Sequence, residues 1–398
     1  MDTAALRRSW QQLAAAGAEP ARYFYARLFV TAPEIRTMFP TNMQYQEDKL
    51  LAALGHILTH VDDPDALAAF ARRLGADHRR FQGHDARGHF GLSERHYAWV
   101  GQALLATLEH FLGPGWTPSL RENWATAYQV VTQLMLAGAA DADQTAPPFW
   151  RAQVLHVDRR TVDVCVFTVR PDWMCTYLPG QSLPVHVPQL RTWRYLSPAN
   201  APRADGTIEL HVRATGRFST HLVRNLRDGD ELHLGHPVGT ALASYGRAPH
   251  RPLLLVAGGT GLAPMRAIVE ALRDQPARRT TLIVGGSTPD DLYDDEALTR
   301  IAASARWLRY LPTVENGWGW VGETGRAVDV ALRQPALDEA EILICGSPAM
   351  TRDTITALVA GGVRPEQVLT ETYDHSLYPP LTAAAAARPR EHVWAGTQ

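Results

Sequence analysis

The period of the hydrophobic pattern changes twice along the chain, and this constrains the fold more than any other feature. Over residues 1–140, apolar side chains recur three and four residues apart, as in "QEDKLLAALGHILTHV", which predicts amphipathic helices. Thr3 and Ser93 are predicted N-caps, and "GPG" at 113–115 is predicted to end a helix. The first segment is therefore predicted to be an all-α domain.

The pattern becomes strand-like after a polar and then proline-rich stretch, "DADQTAPPFW" at residues 141–150. "RAQVLHVDRRTVDVCVFTVRP" alternates and is rich in valine and threonine, and the runs that follow it are separated by turn signals. Residues 147–248 are therefore predicted to form an antiparallel barrel or sandwich.

In residues 249–386, continuous apolar strands are each followed by a helical pattern. "PLLLVAGG" precedes "PMRAIVEALRDQ", and "RTTLIVGGS" and "EILICGS" are followed by helical patterns in the same way. Such strands are buried on both faces, as in a parallel sheet covered by crossover helices. The third segment is therefore predicted to be an α/β domain, and 398 residues are enough for several separate cores.

Composition argues against several classes of protein. A formal net charge of −2 gives no reason to expect nucleic acid or an anionic membrane as a partner. No apolar run approaches the roughly 20 residues that span a bilayer, so we expect a cytoplasmic protein. Cys165, Cys175 and Cys345 are odd in number and include no CxxC pair, which disfavours a disulfide scaffold or a zinc site.

Two strand ends in the third segment carry small residues. In "LLLVAGGTGLAPM" and "ILICGSPAM", a buried strand passes through glycine into a helix, and such turns let backbone N–H groups approach a phosphate. A tight turn without a ligand is the alternative for each, but two of them in one sheet favour a dinucleotide site. The predicted nucleotide-binding residues are Gly258, Gly259, Thr260, Gly261, Cys345, Gly346 and Pro348.

His78 stands in "LGADHRRFQ" on the same predicted helix face as Leu74 and Phe81. A histidine on such a face is either a core residue with a satisfied ring or a metal or haem ligand. His56 and His60 are four residues apart and could mimic a metal pair, but they lack a third ligand. The rival haem ligands are His84, His89 and His96.

The motifs of the second and third segments resemble the ferredoxin-reductase family. "GGTGLAPM" and "CGSPAM" match its NAD(P)-domain elements, and "WRYLSPAN" and "GRFST" match its R-x-Y-S and G-x-x-S elements for FAD. Such a module joined to a globin-sized helical domain resembles the flavohaemoglobins over almost the whole chain. The resemblance implies a haem-binding globin domain at 1–140, an FAD-binding β-barrel at 147–248 and an NAD(P)-binding α/β domain at 249–386.

For the reductase, the resemblance implies that Arg194 and Ser197 contact FAD, and an arginine fork suits a pyrophosphate. Leu196 stands where the family has a flavin-contacting tyrosine, and the adjacent Tyr195 points to the opposite strand face unless there is a bulge. Cys345 is implied to lie beside the nicotinamide. The other implied FAD contacts are Gly216, Phe218, Ser219 and the stacking Tyr373.

The nicotinamide cofactor is predicted to be NADH, with NADPH the alternative. After the second strand of the α/β domain, Ser287 and Thr288 are followed by four aspartates and no arginine. An NADP site is expected to place basic groups there.

For the globin domain, the resemblance implies that His78 is the axial ligand of haem b. Tyr25 and Gln46 are implied to hydrogen-bond O2, and Leu50 to limit access. Phe39 is implied to pack against the haem, and Tyr97 to belong to the hydrogen-bonding group around the ligand histidine.

The sequence departs from the family beside His78. Asp77 replaces a lysine, and we expect its side chain to be exposed to solvent. Relatives have a glutamate that hydrogen-bonds the ligand histidine. Its position falls near Ala139 in this sequence, within "LAGAA", which contains no acidic residue. Losing that anion is predicted to weaken the histidine as an electron donor.

The predicted activity is that of a nitric oxide dioxygenase, an oxidoreductase that converts NO and O2 to nitrate with NADH through FAD and haem. The alternatives are a haem and FAD oxidoreductase with another donor or acceptor, such as a hydroxy acid or peroxide, and a haem gas carrier or sensor. The expected partners are the small molecules O2, NO and NADH, and the chain is expected to be a monomer or weak oligomer.

Overall fold

The computed structural model describes residues 1–39, 43–79, 94–190, 192–239, 242–246, 248–273, 278–317 and 319–370. Its contacts divide these residues into two compact units, with the boundary between Pro148 and Phe149. The predicted fold class is confirmed: an all-α segment is followed by an antiparallel barrel and a parallel α/β sheet.

The first unit is helical. Asp2 caps its first helix, because the Asp2 carboxylate accepts a hydrogen bond from Ala5 N at 2.9 Å. The prediction that Thr3 is the cap is therefore wrong by one residue: Thr3 is already helical. Ser93 lies outside the described residues. The helices are α1 (Thr3–Ala14), α2 (Glu19–Thr31), α3 (Gln44–Thr59), α4 (Pro64–His78), α5 (Glu94–Leu112) and α6 (Pro118–Asp143), with 3-10 turns at Pro33–Met38 and Gly113–Gly115.

Helices α4 and α6 pack with their backbones in close contact. A Cβ atom added at Gly75 would collide with the carbonyl group of Met135, and one at Gly138 would collide with the backbone of Arg72. Glycine at both positions allows this approach. The helix that ends at His78 is therefore held against α6.

The second unit begins with a six-stranded antiparallel sheet in the order β4-β3-β6-β1-β2-β5. An isolated bridge between Pro198 and Leu210 joins the two edges of the sheet and closes it into a barrel. The elements are β1 (Trp150–Arg159), β2 (Val164–Pro171), β3 (Leu183–Val187), β4 (Thr192–Leu196), β5 (Ile208–Arg213), α7 (Arg217–Asn225) and β6 (Glu231–Leu234).

The same unit continues with a parallel sheet in the order β10-β9-β8-β7-β11-β12. Strands β7 and β11 are apolar and buried along almost their whole length, because helices cover both faces. The elements are β7 (Leu253–Gly258), α8 (Leu262–Leu272), β8 (Thr280–Gly286), α9 (Asp295–Ser304), β9 (Leu308–Val314), β10 (Glu323–Thr324), α10 (Ala327–Leu332), β11 (Glu341–Cys345), α11 (Pro348–Ala360) and β12 (Val368–Thr370).

A buried polar network joins the barrel to the α/β half of this unit. Glu209 of β5 forms an ion pair with Arg266 of α8 at 2.7 Å, and Arg266 also pairs with the fully buried Asp294 at 2.8 Å. His211 Nε2 donates to Glu209 Oε1 at 3.0 Å, while His211 Nδ1 accepts from the Tyr293 hydroxyl at 2.8 Å. The ion pair between Glu209 and Arg266 and the hydrogen bond between His211 and Tyr293 therefore connect the barrel to the α/β half.

Burial by itself disfavours ionisation of Glu209, but the hydrogen bond with His211 and the charge of Arg266 outweigh it. Together they lower the pKa of Glu209 from 4.5 to about 2. A lowered carboxyl pKa stabilises the folded protein above the unfolded value of 4.5, and this contribution is lost as the pH falls toward about 2.

We expect Glu209→Gln to lower the free energy of unfolding at neutral pH by about 3 kcal/mol, because one partner of a buried ion pair is removed. Urea unfolding at several pH values measures this. The difference from the wild type should shrink as the pH falls from 4.5 toward about 2. Glu296→Gln is the control, since the Glu296 side chain is 87% exposed in its pair with Arg300. Equal effects of the two substitutions would contradict the prediction.

Candidate functional site

The first unit encloses a largely apolar cavity of about 300 Å³. It is bounded by helices α2 to α6 and by the 3-10 turn after α2. The polar side chains around it are few, and they include Lys49, the single lysine of the chain. The six residues predicted for the haem site all line this cavity: Tyr25, Phe39, Gln46, Leu50, His78 and Tyr97.

His78 is the last residue of α4, and its ring is half-buried. Its Nδ1 atom donates a hydrogen bond to the carbonyl oxygen of Leu74, one turn earlier, at 2.7 Å. A carbonyl oxygen can only accept, so Nδ1 carries the proton. In the neutral ring, Nε2 then holds the lone pair that binds a metal.

Tyr25 and Gln46 come from neighbouring helices α2 and α3. The Tyr25 side chain is 5% exposed, and its hydroxyl donates to the backbone carbonyl of Gln46 at 3.3 Å. The ring of Phe39 packs edge-on against Tyr25, with 5.5 Å between the ring centres. A phenol and an amide side chain thus line the cavity close to each other.

His96 is the rival ligand that the fold brings into the same cavity. It lies on α5, is 6% exposed and packs edge-on against Trp99 at 5.3 Å. His56 and His60 do not line the cavity. His60 Nδ1 donates to the carbonyl of His56 at 2.9 Å. The described residues contain no cluster of three potential metal ligands. His84 and His89 lie outside the described residues.

The side chain of Asp77, the residue before His78, is less exposed than the sequence predicts. Asp77 is half-buried, and its Oδ2 atom is buried without a hydrogen-bond partner among the described residues. The expectation of a solvent-exposed side chain is therefore wrong for this oxygen, because α4 packs closely against its neighbours.

Helix α6 presents no acidic side chain to the described cavity. The lining residues that it supplies are Trp124, Ala127, Tyr128, Val130, Val131, Thr132 and Met135, and Ala139 is not part of the lining. Tyr97 lines the cavity, burial raises the pKa of its hydroxyl, and its carbonyl accepts a hydrogen bond from Tyr128 at 2.6 Å.

In the barrel, β4 pairs with β3 in unbroken register from Thr192 to Leu196. Tyr195 therefore lies on the strand face opposite to Arg194 and Leu196, as predicted for a strand without a bulge. The Arg194 side chain is exposed, and Ser197 Oγ lies 2.9 Å from Ser182 Oγ. Leu196 thus occupies the position of the motif's tyrosine, and Tyr195 does not supply the missing hydroxyl on that strand face.

The "GRFST" motif forms the beginning of helix α7. Ser219 Oγ accepts hydrogen bonds from the backbone N–H groups of Thr215, at 3.0 Å, and Gly216, at 3.1 Å. Phe218 is buried and anchors the turn. A helix beginning with Gly216 at its N-cap presents backbone N–H groups of the kind that bind phosphate.

The fold brings the two glycine-rich strand ends of the α/β half together. Strands β7 and β11 are hydrogen-bonded neighbours, with Cys345 opposite Ala257. A Cβ atom at Gly261 would collide with the carbonyl group of Cys345, and Gly346 packs against Met350. Cys345 itself is 1% exposed.

Pro348 is the first residue of α11, and Ser347 Oγ caps the helix by accepting from Met350 N at 3.2 Å. Gly258 ends β7, and Gly259 adopts a φ of +53°, which glycine allows. Thr260 lies in the 3-10 turn that follows. These turns occupy the carboxyl ends of adjacent strands, where such sheets bind their ligands. Tyr373 lies outside the described residues.

The segment after β8 contains an arginine contact that sequence reasoning missed. The Asp291 carboxylate accepts from the backbone N–H groups of Ser287 and Thr288, each at 3.1 Å, and also pairs with Arg213 at 2.9 Å. Burial opposes ionisation of Asp291, but these contacts keep its pKa below the ordinary value. Arg213 belongs to β5 of the barrel, so no local signal could have placed it here.

Three family models match the chain in the order that the folds suggest. They are "Globin" over residues 22–135, "Oxidoreductase FAD-binding domain" over 156–242 and "Oxidoreductase NAD-binding domain" over 255–355. The chain is 30% identical over 290 residues to the flavohemoprotein of Deinococcus radiodurans, covering 68% of this chain and 69% of that protein. This chain belongs to the flavohemoprotein family.

Other members agree with this assignment. The flavohemoprotein of Bordetella pertussis is 31% identical over 278 residues, which are 63% of this chain and 65% of that protein. The flavohemoglobin from Malassezia yamatoensis, solved with bound FAD and heme, has the same fold, with a TM-score of 0.72 and 18% identity over 93% of this chain and 98% of that one.

The predicted cofactor classes, haem, FAD and NAD(P)H, agree with the three modules of the flavohemoprotein. The first-unit cavity suits haem: its walls are mainly apolar, and His78 offers a nitrogen with a defined tautomer. No helix in the described ranges is both long and apolar enough to cross a membrane.

His78 and His96 can be separated by substitution. We expect His78→Gln to lower the haem content of the purified protein by about tenfold or more, because the nitrogen predicted to bind the iron is removed. His96→Gln should retain haem. The ratio of Soret to protein absorbance measures the content, and far-UV circular dichroism checks folding. Haem loss in His96→Gln with retention in His78→Gln would reverse the assignment.

Proposed function

We propose that this flavohemoprotein is a nitric oxide dioxygenase that converts NO and O2 to nitrate with electrons from NADH. The observation that carries the proposal is the common cavity of His78, Tyr25 and Gln46 in a chain that also contains FAD- and NAD-binding modules. When bound, NADH supplies a hydride, FAD divides it into single electrons, and haem supplies the iron at which O2 and NO react.

The chain contributes binding and positioning. His78 would hold the iron of a bound haem, and its hydrogen bond to Leu74 fixes the ring in the tautomer that leaves Nε2 available. Tyr25 can donate its hydroxyl proton to a ligand in the cavity. Its present bond to the carbonyl of Gln46 is 3.3 Å long, so exchanging it for a stronger acceptor costs little.

The other cavity residues control what enters. Leu50 lies on α3 one turn after Gln46, and both line the cavity. The largely apolar walls exclude water and admit small uncharged gases such as O2 and NO.

In the reductase half, the chain's glycine-rich turns suit the phosphates of NADH, and the start of α7 suits the FAD pyrophosphate together with Arg194. Gly261 and Gly346 bring the ends of β7 and β11 together, which leaves Cys345 at the strand end where the nicotinamide is expected. The preference for NADH rests on Asp291, whose carboxylate accepts from Ser287 and Thr288 and also pairs with Arg213 at 2.9 Å, so that the nearby arginine is already engaged by a carboxylate and an additional phosphate would meet that negative charge.

The decisive experiment measures NO consumption by the haem- and FAD-loaded protein with and without NADH. We expect Tyr25→Phe to lower the NADH-dependent rate by about tenfold to a hundredfold, because a hydrogen bond to a partly charged ligand is lost. Tyr23→Phe is the control: Tyr23 is on the same helix, is stacked on His110 at 4.3 Å and does not line the cavity. Turnover no faster than that of free haem would contradict the proposal.

A second candidate keeps the architecture and changes the electron donor. It is favoured by Leu196, which removes the tyrosine hydroxyl from the FAD motif while Tyr195 faces the opposite side. Anaerobic flavin reduction by NADH, NADPH and a 2-hydroxy acid compares the donors directly. Reduction by the hydroxy acid but by neither nicotinamide would favour this candidate.

A further inference from the structure

Arg79 follows His78 directly and is the largest of the fully buried side chains. It is 1% exposed, although an arginine is almost never fully buried unless it is paired. The proposed chemistry does not use a charge at this position. Its burial therefore needs a separate explanation.

The guanidinium of Arg79 has partners on two other segments. Its Nε donates to Asp143 Oδ1 at 2.7 Å, and its Nη2 lies 2.6 Å from the same oxygen. Nη2 also donates to the backbone carbonyl of Ala146. Asp143 is the last residue of α6, and Ala146 lies three residues before Phe149, where the second unit begins.

These contacts tie the residue after His78 to the end of α6 and to the chain that leaves it. Arg79 cannot move away without leaving a buried charge unpaired, which is strongly unfavourable. On the other side of His78, Gly75 holds α4 against Met135. Both ends of the last turn of α4 are thus attached to α6.

We infer that Arg79 is a positioning residue for the haem ligand. Its fork sets the place and tilt of the final turn of α4, and so the direction in which His78 Nε2 points. The inference rests on the proposed role of His78 as the axial ligand. It goes beyond that role because it assigns the orientation of the ligand to an ion pair with the segment that leads to the reductase.

The same two helices supply a matched control. Arg72 of α4 and Asp141 of α6 also form an ion pair, but their side chains are 46% and 70% exposed. Arg72 lies two helical turns before Arg79. Removing its charge eliminates an ion pair between α4 and α6 without exposing a buried charge.

The test uses the full-length, haem-loaded protein and the variants Arg79→Gln, Asp143→Asn and Arg72→Gln. The iron–histidine stretching band of the ferrous, ligand-free protein reports the geometry of the axial bond. Haem transfer to excess apomyoglobin reports its strength, and thermal unfolding reports stability alone.

We expect Arg79→Gln and Asp143→Asn to shift or broaden the iron–histidine band and to accelerate haem loss by about tenfold to a hundredfold. Arg72→Gln should change neither. Arg79→Lys keeps the charge without the fork, and it should leave the band between those of the wild type and Arg79→Gln.

A wild-type band and wild-type haem loss in both Arg79→Gln and Asp143→Asn would overturn the inference, even if their unfolding temperatures fall. If Arg79→Gln does not fold, Asp143→Asn tests the inference instead. Asp143 is 50% exposed, and in this variant Arg79 keeps its hydrogen bond to the carbonyl of Ala146. A wild type with the band but without NO consumption contradicts only the proposed function. A band that survives His78→Gln overturns the axial assignment and this inference with it.

Discussion

Buried charge that must be paired is the constraint on which the arrangement of this chain depends. Arg79, directly after α4, pairs with Asp143 at the end of α6. Arg266 joins Glu209 of the barrel to Asp294 of the α/β half, and Arg278 pairs with Glu341 of the parallel sheet at 2.7 Å. Each pair connects segments that are far apart in the sequence. Because an unpaired charge in these places is very unfavourable, the pairs restrict how the segments can be placed.

Arginine is suited to this task, and the chain uses it almost exclusively. Of its 39 lysine and arginine residues, only Lys49 is a lysine. The planar guanidinium can bind two acceptors at once and is more weakly hydrated than an ammonium group, which favours it in buried ion pairs. Arg79 uses this geometry to bind a carboxylate and a backbone carbonyl together.

The cavity of the first unit contains His78, which we propose as the haem ligand, but its surroundings differ from those that the family resemblance implies. His78 has the tautomer that a metal ligand needs, but no acidic side chain of α6 lines the described cavity. Asp77, the residue before His78, has a buried carboxylate oxygen but is not part of the cavity lining. Since groups around an axial histidine tune its strength as a donor, this protein is expected to differ from its relatives in the electronic character of the iron.

The periodicity of the sequence was sufficient to predict the three folds, and the family resemblance selected six residues that line one cavity of the first unit. Helical and strand periods are local properties, and the glycine turns identify strand ends by the residues beside them. The first helix is capped by Asp2 and not by Thr3, because the exact cap depends on which side chain reaches the N–H group of Ala5.

The tertiary structure alone decided which distant groups meet. It placed His96 and His78 in the lining of the same cavity, brought Arg213 to Asp291 across 78 residues, and paired the buried Arg79 with Asp143 at the end of α6. An arginine in or directly after a helix has the same local pattern whether it is exposed, as Arg72 is, or buried, as Arg79 is. Only the packing of helices and sheets determines which charges lose water, because burial depends on neighbours that the local sequence does not contain.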